Sequence, residues 1–251
     1  MENDESTPPP VTAQLLLRAE STPEALHEAL QSWLDTLPPG HTTGLTGGAL
    51  SVRIPSEEID GFARDRGWAA APDALLQLRF ESLDAARGLL AELPDAFPSE
   101  DPGRRSVMLS DEVVQLEDLP ERWADGGSAV KMVVTNQPKD GMSLSDFFHH
   151  WRNVHGPLVA LHGPAMGYRR YAQHYPVADP VLDRIAADRG WRNPPLGGIT
   201  EVWWDSYAGM VEGLASEAGQ EASREMAKDE VNFVGAEHLT AFLATEARWG
   251  A

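Results

Sequence analysis

The spacing of apolar residues divides the chain into short strands and amphipathic helices. In the first half it predicts strands at 11–20, 42–54, 74–80 and 106–116 and helices at 21–37 and 83–93. In the second half it predicts strands at 130–136, 168–175, 199–204 and 239–246 and helices at 143–162 and 207–228. Apolar and β-branched runs between glycines and prolines indicate the strands, and steps of three and four indicate the helices. Each half therefore has the order β-α-β-β-α-β.

A short motif supports a duplication. The segment 62–68 reads FARDRGW and the segment 185–191 reads IAADRGW, each before a strand and then a helix-opening serine. Such recurrence within a shared element order predicts a tandem repeat. The expected boundaries are a disordered, acidic and proline-rich tail at 1–10, a first half at 11–119 and a second half at 129–250, joined by a linker rich in proline and glycine.

Two βαββαβ halves of this kind are α+β units with ferredoxin-like order. Each has a four-stranded sheet with helices on one face, which leaves the other face bare. Packing the two sheets face to face within the chain would cover both bare faces. The sequence therefore predicts a barrel-like body with a cavity between the two sheets and the helices outside.

The helix predicted at 143–162 carries histidines on its apolar face. His155 and His162 fall near the middle of the apolar stripe, whereas His149 projects from the opposite side. Pro157 lacks an N–H and disfavours the α region for Gly156, so a kink is expected just after His155. A histidine so placed is either a core residue or a group that serves a cavity.

Composition excludes several classes of function. The 20 basic and 39 acidic residues give a formal charge of −19, which disfavours nucleic acid and anionic membranes. Cysteine is absent, so disulfides and thiolate metal sites are excluded. The acidic start and the lack of a long apolar run predict a soluble, cytoplasmic protein.

The second half contains motifs that resemble the EthD family. They are FFHHWRNVHGPLV at 147–159, GYRRY at 167–171, GITEVWWDS at 198–206 and EVNFV at 230–234. The resemblance implies the dimeric α+β barrel fold, here within one chain, and a small-molecule protein of the kind tied to aromatic polyketide tailoring. It also places His155 at the family's cavity histidine. The first half lacks such a histidine, which argues for one working site with the first half as a structural lid. The oligomeric state, including a homodimer, stays open.

The candidate site residues are polar or aromatic groups on the elements of the second half. As catalytic groups we predict His155, His174, Tyr171 and Glu201, and as substrate-binding groups Trp151, Tyr175, Trp203 and Phe233. Alternation along 168–175 places Tyr171 and His174 on opposite faces, and the sequence leaves open which face looks inward. Glu201 could instead pair with Arg169 or Arg170, and Trp203 and Phe233 could simply be packing residues.

No metal or cofactor is predicted. His149 and His150 point about 100° apart, and His155 and His162 lie about 10 Å apart on an unbroken helix. The leading hypothesis is a cofactor-independent lyase or cyclase that acts on an aromatic, polyketide-like molecule by acid–base chemistry, by decarboxylation, dehydration or cyclisation. The alternatives are a cofactor-free monooxygenase or other oxidoreductase on a similar substrate, and a non-catalytic accessory protein that binds a small molecule.

Overall fold

The computed structural model describes residues 10–18, 23–36, 43–65, 67–93, 105–118, 129–191, 197–235 and 239–250. Almost all of the predicted tail and of the predicted linker lies outside these residues. Within the described ranges, none of the helices combines the length and the hydropathy needed to span a bilayer.

The described residues form eight strands and eight α-helices in two similar halves. The strands are β1 Val11–Leu17, β2 Leu45–Ile54, β3 Ala74–Phe80, β4 Ser106–Glu117, β5 Val130–Asn136, β6 Arg170–Pro176, β7 Gly198–Trp204 and β8 Thr240–Gly250. The helices are α1 Pro23–Thr36, α2 Glu57–Asp65, α3 Leu83–Glu92, α4 Leu144–His150, α5 Gly156–His162, α6 Pro180–Asp188, α7 Tyr207–Ala215 and α8 Glu217–Phe233. A π-helical turn, Trp151–His155, joins α4 to α5, and a 3-10 turn, Gly163–Met166, follows α5.

The eight strands close into one antiparallel barrel. Their order around it is β1-β3-β2-β8-β5-β7-β6-β4, so each half contributes four neighbouring strands. The long strands β4 and β8 join the halves. Residues 106–110 of β4 pair with β1 and residues 110–117 pair with β6, while β8 pairs with both β5 and β2. The predicted α+β barrel of two ferredoxin-like sheets is confirmed. The two sheets also pair with each other along both edges, β2 with β8 and β4 with β6.

Two helices fall within segments for which the apolar spacing predicted no helix. Helix α2 lies between β2 and β3, and α6, which begins at the N-cap Asp179, lies between β6 and β7. The predicted single helix at 207–228 is wrong, because Ser216 adopts an extended conformation, ends α7 and caps α8 through the backbone N–H of Gly219. A serine that can cap a helix competes with continued helix at such a position.

Helices α2 and α6 each cover the opposite half. Ile59 of α2 is buried in the apolar layer between the second-half sheet and its helices. Conversely, Leu182 and Ala186 of α6, with Trp191 just beyond it, are buried in the corresponding layer of the first half. The protein thus has two sheet–helix layers, each completed by an element of the other half, and a third layer inside the barrel.

Candidate active site

The helix that carries His155 is wider than an α-helix at one turn. The backbone N–H of Gly156 donates to the carbonyl of Trp151, five residues earlier, and Gly156 stays in the α region with φ −56° and ψ −52°. The expected displacement of Gly156 out of the α region is therefore wrong. The π-helical turn accommodates Pro157 instead, because widening the helix relieves the clash that a proline ring makes with the preceding turn.

Two glutamines bind the carbonyl groups of this turn. Pro157 cannot donate to Arg152 O, and that carbonyl accepts instead from Gln115 Nε2 at 3.0 Å. Trp151 O accepts from Gln173 Nε2 at 2.8 Å. Gln115 sits at a register shift in β4, where a bulge can re-aim a side chain. A residue of the first half therefore holds the turn that positions His155.

An aspartate fixes the orientation of the His155 ring. His155 Nδ1 lies 2.9 Å from Asp229 Oδ2, and His150 Nε2 lies 2.8 Å from Asp229 Oδ1. The hydrogen bond from His155 lowers the pKa of Asp229 below its ordinary value, against the effect of partial burial, and His150 adds to the shift. The ionised carboxylate can only accept, so His155 Nδ1 must carry a proton. In the neutral ring Nε2 is then the basic atom, and within the described part of the chain it makes no hydrogen bond.

His155 lines a pocket of about 180 Å³ between the second-half sheet and its helices. This is slightly more than the ~150 Å³ apolar cavity that holds one benzene molecule. Its aromatic lining comes from both halves and comprises Trp68, Trp151, Tyr168, Tyr171, Trp204 and Phe233. Polar groups also reach it, namely Asn136, Thr200, Ser223, Glu58 and Glu230. The pocket can therefore hold a flat ring and present a basic nitrogen to it.

Tyr171 organises the polar side of this pocket. Its hydroxyl accepts from Trp151 Nε1 at 3.2 Å and from Gln173 Nε2 at 3.1 Å. Burial raises the pKa of Tyr171 to about 12, although hydrogen bonds from Gln173 and Trp151 oppose the rise. The phenol therefore stays neutral near pH 7 and can serve as a hydrogen-bonding group beside His155.

The opposite face of the same sheet carries a buried ionic network inside the barrel. Lys131 Nζ contacts Glu201 Oε1 at 2.7 Å and also pairs with Glu246. His174 Nε2 lies 2.8 Å from Glu201 Oε2, and His174 Nδ1 lies 3.0 Å from the Gln14 amide nitrogen of the first half. Burial alone would raise the pKa of Glu201, but Lys131 and His174 hold that pKa well below its ordinary value. The network lies inside the barrel and includes residues of both halves.

Residues 139–237 match the family model of the EthD domain. The second half of the chain contains an EthD domain. Two solved structures resemble the whole chain in fold. An anthrone oxidase-like protein has a TM-score of 0.59 at 13% identity, over 96% of this chain and 93% of that one. A candidate monooxygenase from Fusobacterium nucleatum has a TM-score of 0.53 at 7% identity, over 97% and 95%. No curated protein sequence matches the chain.

The structure divides the predicted site residues of the EthD domain into two groups. His155, Tyr171, Trp151 and Phe233 line the pocket. Tyr175 lies next to them, with its ring centroid 4.7 Å from that of Trp151. His174, Glu201 and Trp203 project to the other face, where the Trp203 ring contacts Lys131 and Arg170. The expectation that they share a site with His155 is corrected, because alternate residues of a strand point to opposite faces.

The location of the cavity is also corrected. The pocket around His155 lies between sheet and helices, whereas the expected space between the sheets holds the ionic network and a buried apolar cluster that includes Leu16, Leu75 and Phe242. Two sheets that close into a small barrel bring their inner side chains into contact, which fills the interior.

Sequence reasoning missed Asp229, Glu230, Gln115 and the contribution of α2. Asp229 had a detectable signal, since it lies at steps of three and four between the buried residues Met226 and Phe233 on α8. An acidic residue within an apolar stripe indicates a buried partner. Among the described residues, no group of three or more His, Asp or Glu side chains is arranged to hold a metal ion.

Proposed function

We propose that the EthD domain catalyses proton abstraction from an aromatic small molecule bound in the pocket, with His155 Nε2 as the general base. The contact of 2.9 Å between His155 Nδ1 and Asp229 carries the proposal. It fixes the tautomer in which Nε2 accepts a proton, and Nε2 has no described protein partner. Asp229 acts as a positioning residue that also stabilises the imidazolium formed on proton transfer.

The remaining lining suits a neutral ring whose enolate or phenolate forms next to the His155 imidazolium, which offsets the new negative charge. Aromatic walls bind the apolar faces of the ring, and the neutral Tyr171 hydroxyl beside Thr200 offers hydrogen bonding to a substrate oxygen. Loss of a leaving group from the resulting carbanion would give dehydration, and attack on a second carbonyl would give cyclisation. A lyase or cyclase is therefore our first candidate.

A cofactor-free oxidation is the second candidate. The anthrone oxidase-like protein and the candidate monooxygenase have the same fold over almost the whole chain. A carbanion formed by His155 could react with molecular oxygen as co-substrate instead of eliminating a group. Oxygen uptake with an enolisable phenol would distinguish this candidate from the first.

Hydrogen–deuterium exchange tests the step that both candidates share. The probe is 2-tetralone, a bicyclic ketone whose acidic C–H groups exchange in D2O, followed by proton NMR without oxygen. We expect the protein to accelerate exchange, and His155→Ala to reduce the protein-dependent rate by about 10²–10⁴-fold. His162→Ala is the matched control, because His162 ends α5, which directly follows the turn that carries His155, and does not line the pocket.

Asp229→Asn tests the positioning role. An amide can donate to Nδ1 and would favour the tautomer that places the proton on Nε2, so exchange should slow while the fold persists. Asp229→Glu, which keeps a carboxylate as the acceptor, should restore part of the rate. Unchanged exchange in a folded His155→Ala variant would refute the proposed function.

A further inference from the structure

We propose, building on the function above, that Glu230 makes this pocket selective for uncharged aromatic ligands with a hydroxyl or enol group and excludes aromatic carboxylates. The charges of the lining support this selectivity. Glu230 on α8 is half-buried in the wall, and Glu58 of α2 lies exposed at the same pocket. The described lining contains no lysine or arginine.

Glu230 acts where the polar groups of the pocket converge. Burial raises the pKa of Tyr168, and the nearby charge of Glu230 adds to that rise. The same charge adds to the raised pKa of Tyr171. A group that disfavours a phenolate on two wall residues will also disfavour an anionic ligand in the same pocket, because like charges repel more strongly at a partly buried site than in bulk water.

The hydrogen-bonding groups favour the same class of ligand. Glu230 only accepts, and Nε2 of neutral His155 only accepts, since its Nδ1 proton is directed to Asp229. A phenol or an enol supplies the O–H donor that such acceptors need. A carboxylate supplies none and would place a second negative charge near Glu230.

This selectivity limits the reactions that the pocket can support. Decarboxylation requires the substrate to bind with its carboxylate in the pocket, which the acidic lining opposes. Dehydration, cyclisation and oxidation of neutral rings do not meet that obstacle. The acidic residues in the pocket wall therefore make decarboxylation the least favoured of the reactions considered.

Calorimetric binding to the full chain tests the proposal with three probes of one ring system. These are 2-naphthol, 2-naphthoate and the uncharged ester methyl 2-naphthoate, at pH 7. We expect 2-naphthol to bind at least about tenfold more tightly than 2-naphthoate, a difference on the scale of one like-charge contact at a partly buried site. Glu230→Gln should reduce that ratio severalfold. Glu221→Gln, an exposed acid on the same helix, should leave it unchanged.

The ester separates charge from shape. Binding of the ester that exceeds binding of the acid would support exclusion by charge, whereas equal weakness of ester and acid would overturn it. A ratio that Glu230→Gln does not change would overturn the role of Glu230. Binding is measured without turnover, so a failure of proton abstraction by His155 would leave the ratio intact, and the two proposals can fail separately.

Discussion

The two sheet–helix layers have the same strand order but different interiors. In the first half, Leu26 and Leu30 of α1 and Leu89 and Leu90 of α3 pack into a continuous apolar cluster. In the second half, the corresponding layer keeps an open pocket with an imidazole, a phenol and carboxylates on its walls. Two halves with the same strand order can therefore differ in how completely side chains fill the layer between sheet and helices.

The repeated motif shows this difference at one residue type. Trp68 and Trp191 end the two copies of the motif. Trp191 is buried in the first-half cluster, with the guanidinium of Arg105 4.7 Å from its ring centroid. Trp68 is only partly buried and lines the pocket. The same indole therefore completes a core on one side and a binding wall on the other.

The largest expected effect comes from breaking the connection between the halves. Lys131→Met leaves Glu201 and Glu246 buried without their shared cation, and removing one member of a buried ion pair costs about 3–5 kcal/mol. Because the barrel is closed, we expect urea to unfold both layers in a single transition. The midpoint of that transition should lie at a lower urea concentration than in the unsubstituted protein.

Arg224→Met provides the control for the Lys131 variant. It breaks the exposed pair with Glu221, and such pairs contribute below about 1 kcal/mol. Two separate transitions in Lys131→Met, with the first half unchanged, would show that the halves are independent. A loss of stability equal to that of Arg224→Met would show that the network contributes little.

Introducing a phenylalanine at one site in each sheet–helix layer tests the contrast between the filled layer and the open layer. Ala86→Phe enlarges a fully buried residue of the first-half cluster, and overpacking of this kind costs about 1–3 kcal/mol or more. Ala227→Phe places the same group on the pocket wall, where space is available. We expect near-normal thermal stability in Ala227→Phe together with loss of 2-naphthol binding. Equal destabilisation by both changes would contradict the difference between the layers.

We expect the smallest changes in the free energy of unfolding at two helical glycines, with opposite signs at the two positions. At Gly156 an added Cβ would come within 2.5 Å of the Gln115 amide nitrogen, so Gly156→Ala should displace Gln115 from Arg152 O. This hydrogen bond is exposed, so water can bind the freed carbonyl, and its loss costs about 0.5–1.5 kcal/mol. At Gly88 of α3 no described atom lies within 4 Å of an added Cβ, and Gly88→Ala should stabilise by about 0.4–1 kcal/mol.

Unfolding midpoints of these two variants, with the exchange rate of 2-tetralone, provide the check. Gly156→Ala should lower both, since the displaced turn carries His155. Stabilisation by Gly156→Ala, or a normal exchange rate, would mean that Gln115 does not hold the turn.

Much of the architecture could be predicted from periodicity, whereas the site could be predicted only in part. The apolar stripe around His155 identified a histidine that lines the pocket, because one helical segment contains the whole signal. The inward face of β6 could not be chosen, since both of its faces carry polar residues and both are buried, with Tyr171 toward the helices and His174 toward the barrel. Asp229 stands out as an acid within an apolar stripe, but its partner His155 lies 74 positions away, and local periodicity does not identify a partner at that separation.

Each half is covered by a helix of the other half, and this arrangement affects which substitutions the protein can accumulate. In an assembly of two identical chains, any substitution in the covering helix would alter two cavities at once. That coupling is absent when both halves belong to one chain, because α2 and α6 can then differ in sequence. Variation in α2, which contributes Glu58 and Ile59 to the pocket wall, can therefore change one cavity while the second half keeps His155 and Tyr171 unaltered.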